Sequence, residues 1–594
     1  MIPLGHSAAE LIQEFILPNR LDQIRLGVHT FSKRQLLLPC LCVFLAALGV
    51  RFLTWQDNRY EIWKVQTSVT DGYKDSARQL VAGDLGSFVG DINHLGHPPG
   101  YSILLAGIFK VAGESDAAIH VVQIVCDAAA AVLLFLIALE LVSLTAATIA
   151  GLLAAISPQF AYFSTLLLPD SLAVVPILLA VYFLIRGRKQ KRVVHFALAG
   201  ALIGVSCWLR ANAILLAPFF ALASVLIVDG RMRMRAAAAI VAGAVVVIAP
   251  VTIKNAIVFQ RFIPISLGAG QTLLEGIADY DESRRFNIPI TDLGIMRQEA
   301  EWYGKPEYAH LLFGVDGVER DQMRLGRGFA VIRANPVWFA SVVVRRGLDS
   351  TRLDPVPVLA SESPVSHDFT RTPDTITDDW LRIHGDERNY GTQHAWEPVS
   401  VKKNTDYVFY LPLKLEEGRV LVKVTDASQR KVLASMGVDV VEGVPAQKQP
   451  RTNLAIPFVS AAESRVGLVI ANNAAPNSVI NVGPGELVEL GPSANQWLRY
   501  VRIPIGFVQR IFKTAWMLPL IVIGLVLLMR ERQWITLLTI MMVPLYYLIV
   551  QSLLHTERRY VYVLHFFFLI LAAHTITQVL SLARRKVRKP QTAG

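Results

Sequence analysis

The sequence predicts a polytopic α-helical membrane protein of about ten spans, with helices lying at its outer face and an inserted extracytoplasmic β-sandwich. Three observations predict it. Of 594 residues, 53% are hydrophobic and only 18% are charged, against about 25% charged in soluble domains. Apolar runs near the ~20 residues that cross a bilayer recur from Leu36 to Leu582. Between Glu397 and Leu490 the pattern changes to short segments split by Gly, Asn and Pro.

The elements follow in chain order. Residues 1–34 form a basic, partly amphipathic cytoplasmic tail, and no cleavable signal is read ahead of Leu36. Spans are read at 35–54, 118–140, 144–163, 170–186, 193–209, 212–228, 236–254, 515–529, 534–553 and 560–582. Pro98–Ala112 is left over as a helix at or dipping into the outer face, since a crossing there would invert every later segment. Loop 55–117 is then extracytoplasmic. Residues 35–270 make a transmembrane module, and 271–395 a helical and irregular region in which Asn335-Pro336 breaks the amphipathic stretch Arg320–Arg346. Residues 396–492 carry seven strands: Glu397–Val401, Asp406–Leu413, Arg419–Thr425, Val432–Val440, Asn453–Val459, Arg465–Ala471 and Ser478–Leu490. Residues 493–582 are C-terminal membrane helices, and 583–594 a basic cytoplasmic tail.

Charge sets the sidedness. The net charge is +11. Five patches (1–34, 186–192, 229–235, 530–532 and the tail after Leu582) hold 19 Lys/Arg and 5 Asp/Glu, a surplus of 14. The excess therefore sits in short loops on one side, the positive-inside signature, and not on a nucleic-acid-binding face. The four cysteines all lie in apolar runs, and the chain has no N-x-S/T sequon, which leans toward a bacterial inner membrane.

Chemistry-bearing residues cluster on the expected outer side. Loop 55–117 offers Asp71 and Asp75, either of which suits a general base at the membrane surface, and then His97-Pro98-Pro99-Gly100-Tyr101. Asp170 opens a span, as an N-terminal acid or as an acceptor- or cation-orienting group. Arg210, Lys254, Arg558 and Arg559 sit at span ends, as phosphate ligands or interfacial anchors, with Glu557 beside the last pair. Asp91, His94 and His97 have the spacing of a metal trio only on a helix, and Pro98 follows at once. No P-loop, GxGxxG or HExxH occurs, so neither nucleotide hydrolysis nor zinc proteolysis is supported. Asp127 and Glu140 are the main charges within spans, the feature a transporter would need.

Several of these motifs resemble one family. Asp71…Ala77-Arg78-Gln79-Leu80…Gly83-Asp84…His97-Pro-Pro-Gly-Tyr101, Leu168-Pro169-Asp170-Ser171-Leu172, Leu209-Arg210-Ala211-Asn212, Lys254-Asn255…Arg261-Phe262-Ile263-Pro264 and Glu557-Arg-Arg-Tyr560 resemble the GT-C superfamily of integral-membrane glycosyltransferases. The branch is that of the protein O-mannosyltransferases and lipid A aminoarabinose transferases. The resemblance covers residues 35–270 well and the last three spans loosely. It implies transfer of a sugar from a polyprenyl-phosphate donor to a glycan, lipid or protein acceptor on the extracytoplasmic side, generally with inversion. It also implies a first-loop aspartate base (Asp71), a second acidic site (Asp170), and basic residues on the donor phosphate, Arg210 first and Lys254 second. One departure is that relatives usually carry an aromatic four residues after the aspartate, where this chain has Asp75, which keeps Asp75 open as the base.

The expected function is thus a lipid-phosphate-sugar-dependent glycosyltransferase, hexosyl or pentosyl, with its active site and β domain facing the periplasm or outside. The sequence points to no particular cofactor, and a divalent metal is compatible. The rival is a transporter or flippase of a lipid-linked or small solute. The β insertion resembles carbohydrate-binding sandwiches in strand pattern alone, with Tyr407, Phe409 and Tyr410 as candidate stacking rings.

Overall fold

The structure is a computed structural model that describes residues 23–26, 29–58, 68–314, 316–354, 380–388, 391–441, 444–473, 475–492 and 496–587. Most of the expected tail 1–34 and residues 588–594 lie outside the described residues. The chain divides into two compact units: residues 1–55, 66–358 and 508–594 form one, and 56–65 with 359–507 the other.

The first unit is helical apart from a hairpin of β1 (Gln23–Leu26) and β2 (His29–Ser32). Among the described residues six of its helices are long and apolar enough to cross a membrane: Leu36–Gln56, Asp116–Leu141, Asp170–Gln190, Met232–Val258, Trp534–Leu553 and Val563–Arg584. A seventh crossing is made if the bent pair Leu144–Ile156 and Pro158–Thr165, 50° apart, counts as one span. The expected spans at 193–209, 212–228 and 515–529 fall on shorter apolar helices, and Gly100–Ala112 is also helical. Local chemistry sets the starts. Ser115, Ser143 and Ser157 each accept a backbone N–H of the following turn, and Pro158 takes the first position of its helix, where no N–H is needed.

The bend at Ser157 leaves carbonyls at the end of the preceding helix without intrahelical donors. Arg51 answers them, donating to Ala155 O at 2.8 Å and Ala154 O at 3.2 Å while pairing with Asp127 at 2.5 Å. Both side chains are fully buried. Asp127 is therefore half of an internal ion pair that ties three helices, an arrangement that keeps a charge tolerable in hydrocarbon. Glu140 is similarly held by Lys189 at 2.6 Å and Arg186 at 3.2 Å.

Glycines allow two backbones to approach within the bundle. A Cβ at Gly200 would lie 1.9 Å from Ile240 O, and one at Gly243 would lie 2.1 Å from Ala197 O. The Val193–Leu209 and Met232–Val258 helices therefore meet through small residues, as membrane helices commonly do. Outside the long helices, Asn335-Pro336 does break the amphipathic stretch, giving Gly317–Ala334 and Pro336–Ser350.

The second unit holds the β domain. Its strands are β3 (Leu381–His384), β4 (Thr392–Ala395), β5 (Val399–Ser400), β6 (Thr405–Glu417), β7 (Arg419–Asp426), β8 (Val432–Asp439), β9 (Thr452–Val459), β10 (Arg465–Asn472), β11 (Val479–Val482) and β12 (Glu486–Pro492). One five-stranded sheet runs β4-β10-β7-β8 with β5 beside β10; the other runs β12-β6-β11-β3 with β9 beside β6. All pairings are antiparallel. Leu411, Leu413 and Leu415 of β6 alternate into one core with Val420, Val422 and Val424 of β7, as a sandwich requires. The expected stretch Ser478–Leu490 is two strands, split at Gly483-Pro484-Gly485, where the turn residues themselves mark a break. β3 and β4 precede the expected boundary at 396.

Candidate functional site

The first-loop helix, Ser68–Val81, is amphipathic. Thr70, Tyr73, Lys74 and Ala77 form its buried face, and Asp71, Asp75 and Arg78 its exposed face. The hydroxyl of Thr70 donates to Leu167 O at 3.1 Å, which docks the start of this helix on the loop just before Asp170. Asp75 and Arg78 form a hydrogen-bonded ion pair, and Arg78 also pairs with Glu114 at 2.6 Å. Asp71 forms no ion pair among the described residues.

The Pro98-Pro99 segment supplies the next layer. A Cβ at Gly100 would lie 2.5 Å from Trp208 O, so only glycine lets this helix start lie against the end of Val193–Leu209, next to Arg210. Tyr101 is fully buried and donates to Gln123 Oε1 at 3.0 Å. Gln123 in turn donates to Leu166 O at 2.7 Å and to Leu168 O and Ser171 Oγ at 3.3 Å. Tyr101 thus acts through Gln123 on the turn that presents Asp170.

Asp170 is 4% exposed and pairs with Arg210 at 2.8 Å, yet neither carboxylate oxygen makes a well-aligned hydrogen bond. The Arg210 guanidinium lies 4.3 Å from the centre of the Tyr560 ring, and that of Arg559 lies 5.1 Å from it. Glu557 pairs with Arg559 at 2.7 Å and accepts from Tyr560 Oη at 3.1 Å. Asn212 donates to Tyr560 O at 3.1 Å, and Tyr562 Oη to Asp170 O at 3.1 Å. Asp170, Arg210, Asn212, Arg559, Tyr560 and Tyr562 line one narrow cleft. Burial, and then the charges of Arg210 and Arg559, push His97 down to about 4, so its imidazole is neutral at pH 7. Burial also raises Tyr73, whose ring stands 5.5 Å from that of His97 and 5.0 Å from that of Tyr101. Burial opposes ionisation of Glu557, but Arg559 outweighs it and the carboxyl stays below its usual range.

The structure therefore brings His97, Asp170, Arg210, Glu557 and Arg559 together from four distant stretches of sequence. Tyr73, Gln123, Asn212, Tyr560 and Tyr562 join them, although the sequence reading did not single them out as site residues. Gln123, a polar side chain within an apolar span, was the available signal. Lys254 lies elsewhere: its Nζ is 4.7 Å from the Phe259 ring, it has no hydrogen-bond partner among the described residues, and its charge acts with burial to push His94 down to about 4. Asp91 caps the turn after it and accepts from Ser76. Among the described residues no three His, Cys, Asp or Glu side chains converge as metal ligands, so Asp91, His94 and His97 do not form the trio their spacing allowed.

Arg558 and Arg559, adjacent in sequence, serve different spaces. Arg558 lines a second cavity of about 440 Å³ with Asp279, Tyr280, Arg346, Asp349 and His555. His555 Nδ1 is 2.7 Å from Asp279 Oδ2, and Tyr280 donates to Asp349 at 2.9 Å. In the β domain, Tyr407 is buried, stacks on Phe458 at 5.6 Å and accepts from Lys402 N at 2.9 Å. Its ring is spent on the domain core and is not offered to a sugar.

Comparison with known proteins adds three findings. Residues 96–253 match the family of dolichyl-phosphate-mannose-protein mannosyltransferases. That range contains His97, Asp170 and Arg210, and the match bears out the resemblance to GT-C glycosyltransferases. Two solved structures are similar. The apo oligosaccharyltransferase of Archaeoglobus fulgidus has TM-score 0.44 and 11% identity over 93% of this chain and 52% of its own. The oligosaccharyltransferase AglB of Archaeoglobus fulgidus, in complex with an inhibitory peptide and a dolichol-phosphate, has TM-score 0.42 and 10% identity over 94% of this chain and 52% of its own. The chain thus spans about half the length of these structures. No curated protein matches it.

Proposed function

We propose that this GT-C chain transfers a sugar from a polyprenyl-phosphate carrier to a hydroxyl- or amine-bearing acceptor on the extracytoplasmic face of the membrane. The observation that carries the reading is the pair of guanidiniums, Arg210 and Arg559, set against one tyrosine ring and drawn from stretches far apart in the sequence. Two fixed cations answer a phosphate, and they make it a better leaving group as charge develops on it. In the resting cleft, Asp170 and Glu557 hold these cations in place. A phosphate can displace the poorly aligned Asp170 carboxylate from Arg210 and gain charge-assisted hydrogen bonds.

In the reaction, the bond between the anomeric carbon and the donor phosphate oxygen breaks, and a bond from the acceptor oxygen or nitrogen to that carbon forms. The acceptor proton passes to Asp71. Asp71 is favoured over Asp75 because its carboxylate forms no ion pair among the described residues, whereas Asp75 is engaged by Arg78. The leaving polyprenyl phosphate stays on Arg210 and Arg559. The transporter reading loses its motive, since Asp127 and Glu140 are both consumed by internal ion pairs.

The test uses purified protein in lipid with a panel of radiolabelled polyprenyl-phosphate sugars and membrane extract as acceptor. Label leaves the carrier in wild type, and Asp71→Asn slows it by about 10²–10⁴-fold, the range for loss of a general base. Asp75→Asn loses far less. Turnover of no donor in wild type would refute the reading, and full turnover in Asp71→Asn would refute the base.

A further inference from the structure

The segment between the last two long apolar helices is a wall with two faces. Arg559 and Tyr560 face the cleft, and His555, Thr556 and Arg558 face the second cavity. At about 440 Å³ that cavity is large enough for a sugar unit. A Cβ at Gly276 would lie 2.5 Å from His555 N, so the opposite side of the cavity is held against the wall by close backbone contact.

The cavity is lined by two carboxylates and two guanidiniums that are not paired with each other. Its carboxylates are already answered: Asp279 by His555, and Asp349 by Tyr280 and by Arg352 at 3.0 Å. Its arginines are not. Arg346 is 3% exposed; its terminal nitrogens donate to the uncharged carbonyls of Ser552 and Gly276, and its Nε has no partner among the described residues. Arg558 donates to Asp354 O at 2.5 Å. Neither forms an ion pair with a carboxylate among the described residues. Two buried or half-buried guanidiniums with no carboxylate in contact gain from an anion that meets them directly.

We propose that this cavity binds an anionic sugar unit, carrying a carboxylate or a phosphate, of the acceptor. The inference rests on the glycosyltransferase reading. The donor is an unsuitable occupant: it brings a single phosphate, which Arg210 and Arg559 already answer, and the Glu557 carboxylate stands between that pair and this cavity.

The test is direct binding by calorimetry to the full chain in nanodiscs, without turnover. The probes are a glucuronate-containing tetrasaccharide, mannose 6-phosphate, a neutral tetrasaccharide of glucose, and polyprenyl phosphate. At least one anionic sugar binds ~10-fold or more tighter than the neutral one, and Arg558→Gln removes most of that difference, as loss of a charge-assisted contact requires. Arg558→Lys restores part of it, which separates charge from folding, and polyprenyl phosphate does not compete. Equal binding of neutral and anionic sugars, an Arg558→Gln protein that binds as wild type does, or displacement by polyprenyl phosphate would each overturn the proposal. Donor turnover in the same preparation reports separately on the glycosyltransferase reading.

Discussion

Glu275 sits beside the second cavity, buried at 7% exposure, with Gln271 as its one side-chain hydrogen-bond donor among the described residues, at 3.0 Å. Burial pushes its carboxyl up to about 7. A raised carboxyl binds a proton in the folded state that the unfolded chain has already released, so stability falls as pH rises from about 4.5 to 7. His555 acts in the same direction: burial alone would lower it, but Asp279 raises it above its ordinary value, so its contribution is present below pH 6.5 and is lost as pH rises through the folded value. The buried, neutral His94 and His97 act in the opposite sense, so Glu275 is isolated by comparing variants: Glu275→Gln should gain stability relative to wild type as pH rises from 5 to 8, by up to ~3 kcal/mol. Thermal melts of both proteins in nanodiscs across that range check it; a difference between them that does not change with pH would refute it. At this scale the sequence was legible where a charge is flanked by apolar runs, as at Asp170, Arg210 and Glu557. It was not legible where meaning comes from pairing. Arg51 lies 76 positions from Asp127, and only the fold converts that apparent intramembrane acid into half of a structural lock.

Elements were easier to read than contacts, because hydrophobic periodicity marks an element and says nothing about its neighbour. The stretches expected to span are helical, and Asn335-Pro336 breaks its helix as proline chemistry demands. The strands β3 and β4 escaped because Leu381-Arg-Ile-His and Thr392-Gln-His-Ala are short, polar edge strands without clear alternation. The helix crossing that places Arg210 was encoded only in glycine spacing. Gly200 and Gly204 present one face of Val193–Leu209 to Ile240 and Val247, and Gly243 returns the contact against Ala197. Gly200→Val would put side-chain atoms into the Ile240 carbonyl, separating the helices and costing about 1–3 kcal/mol, as overpacking does. The expected result is a lower melting temperature together with weaker donor binding, since Arg210 follows directly on the end of that helix. Gly107, which has nothing within 4 Å of its Cβ position, is the control: Gly107→Ala should leave both unchanged.

Across the whole molecule, two hydrophobic economies are at work. The helical unit buries Phe135, Phe196 and Phe566 in one cluster, while the β domain closes a separate core around Leu411, Val422 and Ile470. That separation explains why the domain was visible in sequence as a change of period from the helical to the alternating pattern, and why its role was not: a sandwich core consumes the aromatics that pattern alone offers as ligand contacts, as it does Tyr407. It also makes a prediction. A domain whose sheets share a self-contained core folds without the membrane helices. Residues 380–492 expressed alone should unfold in urea in one cooperative step, followed by the fluorescence of Trp380 and Trp396. Leu411 is fully buried, at the centre of β6 between β9 and the facing sheet. Leu411→Ala should therefore cost about 2–5 kcal/mol, as large-to-small core changes do, with the m-value unchanged. A broad transition without a baseline, or a Leu411→Ala midpoint equal to that of wild type, would mean that the sandwich borrows its stability from the rest of the chain.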